Sequence, residues 1–207
     1  IWNTITLSNI WDKVYMRNKS ATDTLFSKDT AKYYKYVMTW SISASWDLSY
    51  LLNKNGTNTI PDRCFLYIFE SCSSLMTPPT LPSLNLGSNC YNYMFQNCTS
   101  LTTVPELPAT TLGYWCYVSM FQWCTSLETI TKLPATRFTK FCYMSMFYWC
   151  SKIKLSTTQT WEYQTAYRLP YTWTWATADY ALNSMFDSTW WTFTWTPTIN
   201  TTYYTSN

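Results

Sequence analysis

The chain has 207 residues, a formal net charge of +3, 12% charged residues and no histidine. Without a lysine or arginine cluster it lacks the electrostatic footprint of a nucleic-acid-binding protein, and without histidine it lacks the commonest general base and the Ser-His-Asp triad. No apolar run is long enough to span a membrane, and no stretch resembles a secretory signal peptide. We therefore expect no catalytic residues, no cofactor and no membrane insertion, and the start at Ile1 rather than Met predicts a fragment of a longer chain.

Residues 1–60 contain no repeat and are predicted to form a β-rich N-terminal cap. Short strands are expected at residues 4–7, 13–16, 34–39 and 41–43, where β-branched and aromatic residues are bounded by turn residues. The polar stretch 53–58 is predicted to be a turn before the first repeat. A separate small β-sandwich is the alternative, but sixty residues are marginal for an independent core.

Residues 61–155 contain four copies of a 26-residue repeat that is marked by two columns of cysteine. Each copy reads Cys-aromatic-x-x-Met-Phe-x-x-Cys, with Ile68 replacing methionine in the first. Leucine or isoleucine follows the second cysteine by three residues, and a Leu-Pro pair comes next in the first three copies. The first column is Cys64, Cys90, Cys116 and Cys142, and the second is Cys72, Cys98, Cys124 and Cys150.

Self-similarity at this period predicts a repeat solenoid, because a unit this short cannot bury its apolar face until neighbouring units stack on it. Within each unit we expect a short β-strand, as in residues 101–107, which ends at Pro108 because proline has no N–H to donate. The three- and four-residue apolar spacing between the cysteines predicts a short helical turn.

A degenerate fifth repeat and a C-terminal cap are predicted for residues 156–207. Residues 181–189 reproduce the nine-residue frame, with Ala181 and Thr189 in the places of the two cysteines. Terminal units of repeat proteins are expected to be atypical, because one of their sides faces water.

The best preserved copy, residues 90–112, reads C-Y-x-x-M-F-x-x-C-T-S-L-x-x-x-P-x-L-P-A-T-x-L. This frame resembles the BspA-like leucine-rich repeats of bacterial surface proteins, and similar arrays occur in phages that infect gut bacteria. The resemblance is specific over about residues 64–155 and weaker over 156–207. It implies a leucine-rich-repeat solenoid used for adhesion or recognition, in which Cys98 and its equivalents match the Asn/Cys position of the general repeat.

The eight cysteines have three interpretations. We favour free buried thiols that pack as small hydrophobic side chains, because each column aligns with an apolar position. Disulfides within one column are an alternative, since neighbouring Cα atoms about 5 Å apart could be bridged, although stacked side chains that point in parallel disfavour it. A metal site is the least favoured, because Cys-x7-Cys is not a zinc spacing.

Tryptophan and glycine occur in an inverted ratio, with thirteen tryptophans and three glycines. Glycine ordinarily makes up about 7% of a chain, and several of these tryptophans stand in turn-like contexts rich in threonine and serine. We hypothesise a Gly/Trp codon reassignment, in which a UGA codon written here as tryptophan is read as glycine in the source organism. The alternative is an aromatic recognition surface. Under the hypothesis no ligand-binding role is assigned to Trp173, Trp175, Trp190 or Trp191.

Binding or adhesion is the predicted function, with a protein or carbohydrate ligand at a cell surface and a location on the bacterial surface or in secreted form. Non-core positions of the predicted strands vary between repeats while the core columns do not, and solenoids present such strips as extended surfaces. A structural or receptor-binding module of a phage virion (a tail or fibre appendage) is the alternative, and a spacer between other domains is a third. The predicted binding face consists of Thr102, Thr103, Glu106, Glu128, Thr129 and Lys132.

Overall fold

The computed structural model describes residues 42–44, 48, 58–169, 180–189 and 197–206. The strands predicted at residues 4–7, 13–16 and 34–39 lie outside these ranges. Within them the regular secondary structure is short strands, joined by turns and extended chain. The strands are β1 Ile42–Ser43, β2 Thr59–Ile60, β3 Leu75–Thr77, β4 Asn85–Leu86, β5 Leu155–Ser156, β6 Tyr163–Arg168 and β7 Thr202–Ser206.

The segment between the two cysteines of each repeat, called the turn segment below, is a run of tight turns where a short helical turn was predicted. In the second repeat the Met94 N–H donates to the Tyr91 carbonyl at 3.2 Å, and the third residue of this turn, Tyr93, has a φ of 55°. Type II turns require a positive φ at that place. The pattern recurs in the next turn of the same segment. Apolar residues therefore fall on one side at a spacing close to that of a helix, although the backbone is not helical.

Neighbouring turn segments are joined by a parallel ladder of backbone hydrogen bonds. Every second N–H donates to a carbonyl oxygen of the following repeat, as the Tyr91 N–H does to the Cys116 carbonyl at 3.0 Å. Five such bonds join each adjacent pair among the four repeats. Four more join the fourth repeat to residues 181–187, as from the Phe147 N–H to the Met185 carbonyl at 2.9 Å, although the sequence spacing is longer there. Residues 180–189 therefore form a fifth layer in the same register.

The stretch that follows the second cysteine pairs much less regularly. Strand β3 pairs in parallel with β1, and β2 with β4, but residues 101–107 form no strand. Within the described part of the chain, the contacts between these stretches in the second and third repeats include a single long backbone bond, from the Glu128 N–H to the Thr102 carbonyl at 3.2 Å. Pro105 and Pro108 lack the N–H groups that a continuous ladder needs, which accounts for the missing strand.

Residues on both sides of the predicted boundary at residue 60 are paired with each other. Ile42 pairs with Leu75, and Thr59 and Ile60 pair with Asn85 and Leu86. Leu48 and Ile60 are fully buried in the same core as the repeats. Part of the predicted cap thus adds a partial layer below the first repeat. Ile42 and Leu75 are further apart along the chain than one repeat, whereas Thr59 and Ile60 precede their partners by one full repeat.

Columns of equivalent side chains form the core. The phenylalanine of the Met-Phe pair is fully buried in every layer, and its ring stacks on the ring of the next layer. The centroids are 5.3–5.5 Å apart and the planes are within 8° of parallel. Such offset stacks add to the stabilisation from apolar burial. The members of this column are Phe69, Phe95, Phe121, Phe147 and Phe186.

An antiparallel sheet lies at the C-terminal end of the described chain. Its strand order is β5-β7-β6, and β7 pairs antiparallel with both neighbours. Leu155, Tyr167, Leu169 and Tyr203 carry its buried apolar surface into the main core. The strand pairing is therefore antiparallel at this end of the described chain, whereas the repeats are joined to each other in parallel.

Tyr143 and Tyr203 allow a test of how buried hydroxyls affect stability. The Tyr143 hydroxyl is buried without a hydrogen-bond partner, whereas the Tyr203 hydroxyl accepts a hydrogen bond from the Thr198 N–H at 2.9 Å. An unpaired buried polar group costs roughly 1–3 kcal/mol. We expect Tyr143→Phe to raise the free energy of unfolding by about 1 kcal/mol and Tyr203→Phe to lower it by about as much. Urea unfolding curves of both variants measure the difference, and a destabilised Tyr143→Phe protein would contradict the expectation.

Candidate functional site

The six residues of the predicted binding face are all exposed. They occupy equivalent positions of the second and third repeats, directly after the buried Leu101 and Leu127. Between them, Val104 and Ile130 are partly buried and pack on the core. Every third side chain therefore anchors the stretch, as at Leu101, Val104 and Leu107, while the six residues of the predicted face are exposed to solvent. The six exposed residues, called the polar strip below, are Thr102, Thr103, Glu106, Glu128, Thr129 and Lys132.

A backbone hydrogen bond aligns the two rows of the polar strip, and a lysine outside the strip neutralises one of its carboxylates. The Glu128 N–H donates to the Thr102 carbonyl, which places these equivalent positions side by side. The Glu128 carboxylate pairs with the Lys152 ammonium at 2.9 Å, and both side chains are more than half exposed. The hydrogen bond and the positive charge of Lys152 lower the pKa of Glu128. Solvent weakens exposed ion pairs of this kind, so this pair affects the charge pattern more than the stability.

Equivalent positions in the first and fourth repeats extend the surface of the polar strip, and these positions were not predicted from the sequence. Lys154 is the equivalent of Glu128 in the fourth repeat, and its ammonium lies 3.7 Å from the carboxylate of Glu162, the residue directly before β6. Met76 is the equivalent of Thr102 in the first repeat, and 44% of its side chain is exposed. The register of the repeat could have identified both positions. At the first repeat the extended surface carries Met76 beside two exposed threonines, Thr77 and Thr80. It has two threonines and a carboxylate at the second repeat and charged side chains at the third and fourth.

A second exposed surface carries aromatic rings on the outward side of the turn segments. The Trp123 and Trp149 rings stack with centroids 4.8 Å apart and planes 3° from parallel. Phe141 likewise stacks between Trp115 and Tyr180, at 5.6 and 5.4 Å. Within each stack the rings cover the faces that they turn to one another. A sugar or base stacks on a ring face, so these covered faces are closed to such a ligand. Trp173, Trp175, Trp190 and Trp191 lie outside the described residues.

The eight cysteines are all buried and unbridged. Burial raises the pKa of the Cys64 and Cys142 thiols to about 12. The thiols of the second column donate weak hydrogen bonds to phenylalanine carbonyls of the preceding layer, and Thr189 donates instead to the Phe186 carbonyl of its own turn. A small donor at this position therefore satisfies a buried backbone acceptor. The thiol bonds are Cys98 to Phe69, Cys124 to Phe95 and Cys150 to Phe121, at 3.0–3.1 Å.

This environment predicts cysteines that are chemically silent in the native state. The thiolate is the reactive form, and a pKa of about 12 for Cys64 and Cys142 leaves almost none of it near neutral pH. We expect Ellman's reagent to label none of the eight thiols in the folded protein within minutes, and all eight after unfolding in guanidinium chloride. Fast labelling of native protein would contradict the buried columns, and fewer than eight thiols after unfolding without reductant would indicate disulfides.

The same shifts predict that alkaline pH lowers stability. In the native state the Cys64 and Cys142 thiols keep their protons up to about pH 12, whereas unfolded thiols lose theirs near pH 9. Between these values the unfolded chain binds fewer protons, so the free energy of unfolding falls as the pH rises. The upper limit is about 1.4 kcal/mol per pH unit for each thiol. Urea midpoints measured from neutral pH upward test this, and a midpoint that does not fall above pH 9 would contradict it.

The described ranges contain no candidate metal centre. No group of three or more cysteine, aspartate or glutamate residues in that part of the chain could hold a metal ion. No helix among the same residues has the length and apolarity to cross a bilayer. Comparisons with known proteins found no matching family model and no significant similarity to a curated protein or a solved structure.

Proposed function

We propose that this protein is a non-catalytic binding or adhesion module, a leucine-rich-repeat-type solenoid that recognises a protein or carbohydrate at a bacterial cell surface. The observation that carries the proposal is the polar strip, in which six exposed side chains occupy equivalent positions of two stacked repeats. The similarity of residues 90–112 to BspA-like repeats favours the same class. Binding sites are carried on such scaffolds by their variable surface positions, and the polar strip is variable while the columns beneath it are constant.

The backbone under the polar strip suits a recognition surface. Leu101 and Leu127 are fully buried, and the cysteines that precede them by three residues are hydrogen-bonded to the preceding layer. A surface that is ordered before it meets its ligand loses less conformational entropy on binding. Hydroxyl groups, carboxylates and one ammonium together offer both donors and acceptors, which fits a carbohydrate or a polar protein surface.

Replacing the polar strip tests the proposal. Fluorescently labelled protein is titrated onto intact bacterial cells, and a variant with alanine at all six positions is compared with it by flow cytometry. We expect at least a tenfold loss of affinity, which corresponds to about 1.4 kcal/mol. Thr110→Ala/Thr111→Ala is the matched control, because both residues are exposed threonines of the second repeat outside the polar strip. Unchanged binding of the six-alanine variant would remove the polar strip as the site.

The virion alternative predicts a different location for the same scaffold. Similar repeats occur in phages of gut bacteria, and a tail or fibre appendage would also need a rigid recognition surface. The genes beside this one separate the two possibilities. Tail and baseplate genes would favour a virion module, whereas an upstream signal peptide or a cell-wall anchor on the full-length chain would favour an adhesin.

A further inference from the structure

Left-handed backbone recurs at every fourth residue of the turn segments. Sixteen non-glycine residues in the described ranges have a positive φ, and fifteen of them fall in three columns: the residue before the first cysteine, and the third and seventh residues after it. The first column is Arg63, Asn89, Trp115, Phe141 and Tyr180, the second Tyr67, Tyr93, Ser119, Ser145 and Ser184, and the third Ser71, Asn97, Trp123, Trp149 and Ser188.

These columns are places where a fold ordinarily uses glycine. For an L-residue in the left-handed region the Cβ atom lies too close to the following carbonyl oxygen, and glycine adopts this region without that cost. Asparagine is tolerated better than most residues, while bulky side chains there are outliers. The two described glycines, Gly87 and Gly113, are not in the left-handed region. The fold therefore has many glycine-type positions and no described glycine on them.

Tryptophan coincides with these positions. Of the four described tryptophans, Trp115, Trp123 and Trp149 have φ values of 56°, 65° and 60°. Trp161 is the exception, and 86% of its side chain is exposed. Other aromatic residues also occupy the columns, as at Tyr93, so bulk alone does not single tryptophan out. Three of the four described tryptophans thus stand on left-handed backbone, in a chain of thirteen tryptophans and three glycines.

We propose that the protein made in its source organism carries glycine where this sequence has tryptophan, because a UGA codon is read there as glycine. The inference is independent of the proposed function, since it concerns the residues and not the ligand. It changes which surface can bind: the Trp123–Trp149 stack disappears from the outward side, and the polar strip, which contains no tryptophan, is unchanged.

Peptide mass spectrometry of protein purified from its source organism tests the proposal. Trypsin cleaves after Lys140, Lys152, Lys154 and Arg168, which releases residues 141–152 with Trp149 as the only tryptophan and residues 155–168 with Trp161 as the only tryptophan. We expect the fragment spectra of both peptides to show glycine at these positions. The gene is expected to have UGA at the corresponding codons and GGN at Gly87 and Gly113.

Each other result overturns the proposal. An intact indole at position 149 removes it, and so does a UGG codon at any of the thirteen tryptophans. Glycine at 149 together with tryptophan at 161 would overturn the codon mechanism, because a reassigned codon acts on every occurrence. Residues 64–132 provide an internal check, because this tryptic peptide contains Gly87 and Gly113 beside Trp115 and Trp123. The mass of this peptide shows whether positions 115 and 123 carry tryptophan or glycine, while Gly87 and Gly113 are glycine in either case.

Discussion

Replacing Gly113 by alanine is expected to destabilise the protein by roughly 3 kcal/mol. A Cβ atom at this position would lie 2.3 Å from the Gly87 carbonyl carbon and 2.4 Å from the Ser88 nitrogen. Both atoms belong to the backbone of the preceding layer, so the rotation of a side chain cannot relieve the clash. Gly87 has the same relation to the layer below it, with the Asp62 nitrogen 2.5 Å from a Cβ atom. The two glycines thus set the distance between three successive layers.

The urea midpoint of Gly113→Ala measures this effect. Thr110→Ala is the control, because Thr110 is an exposed residue of the same repeat and such substitutions usually change stability by less than about 0.5 kcal/mol. Equal midpoints for Gly113→Ala and the unsubstituted protein would mean that the layers do not approach each other this closely.

Replacing Phe121 by alanine is expected to cost about 3–5 kcal/mol, because it leaves a cavity in the middle of a continuous stack. The Phe121 side chain is fully buried, and its ring lies 5.5 Å from both the Phe95 and the Phe147 rings. In a repeat protein each layer contacts only its neighbours. Loss of one ring therefore weakens both interfaces of the third layer and is expected to reduce the cooperativity of unfolding.

Thermal and urea unfolding of Phe121→Ala provide the measurement, with Phe121→Leu as the volume-conserving control. Leucine keeps most of the apolar contact, and such exchanges usually cost less than about 1.5 kcal/mol. A loss below about 1 kcal/mol for the alanine variant would show that the layer relaxes around the missing ring.

Equivalence between residues could be recognised from the sequence, whereas the local backbone could not. The spacing of Cys90 and Cys116 identified which residues correspond, and the structure joins the residues that follow them by hydrogen bonds in that register. The three- and four-residue spacing of apolar residues predicted a helical turn between the two cysteines of one repeat, where the structure has tight turns with positive φ, as at Tyr93. Apolar residues at intervals of three and four fit both backbones, and single-chain periodicity does not distinguish them.

The candidate site, too, could be predicted from the sequence only in part. The sequence alone indicated Thr102 and Glu128 as variable, outward positions, because the hydrophobic columns around them are constant. It did not indicate Lys152 as the partner of Glu128, because Lys152 belongs to a different column and reaches the carboxylate only through the stacking of layers.

The amino-acid order by itself determined the period, the residues that correspond between layers and the shortage of glycine, since all three are properties of spacing and composition. Only the tertiary structure decided that part of the N-terminal region joins the stack, that the aromatic rings cover each other's faces and that tryptophan falls on left-handed backbone. These features depend on contacts between residues of different layers and on backbone angles. Neither follows from local pattern, because the same residues tolerate several local conformations until neighbouring layers select one.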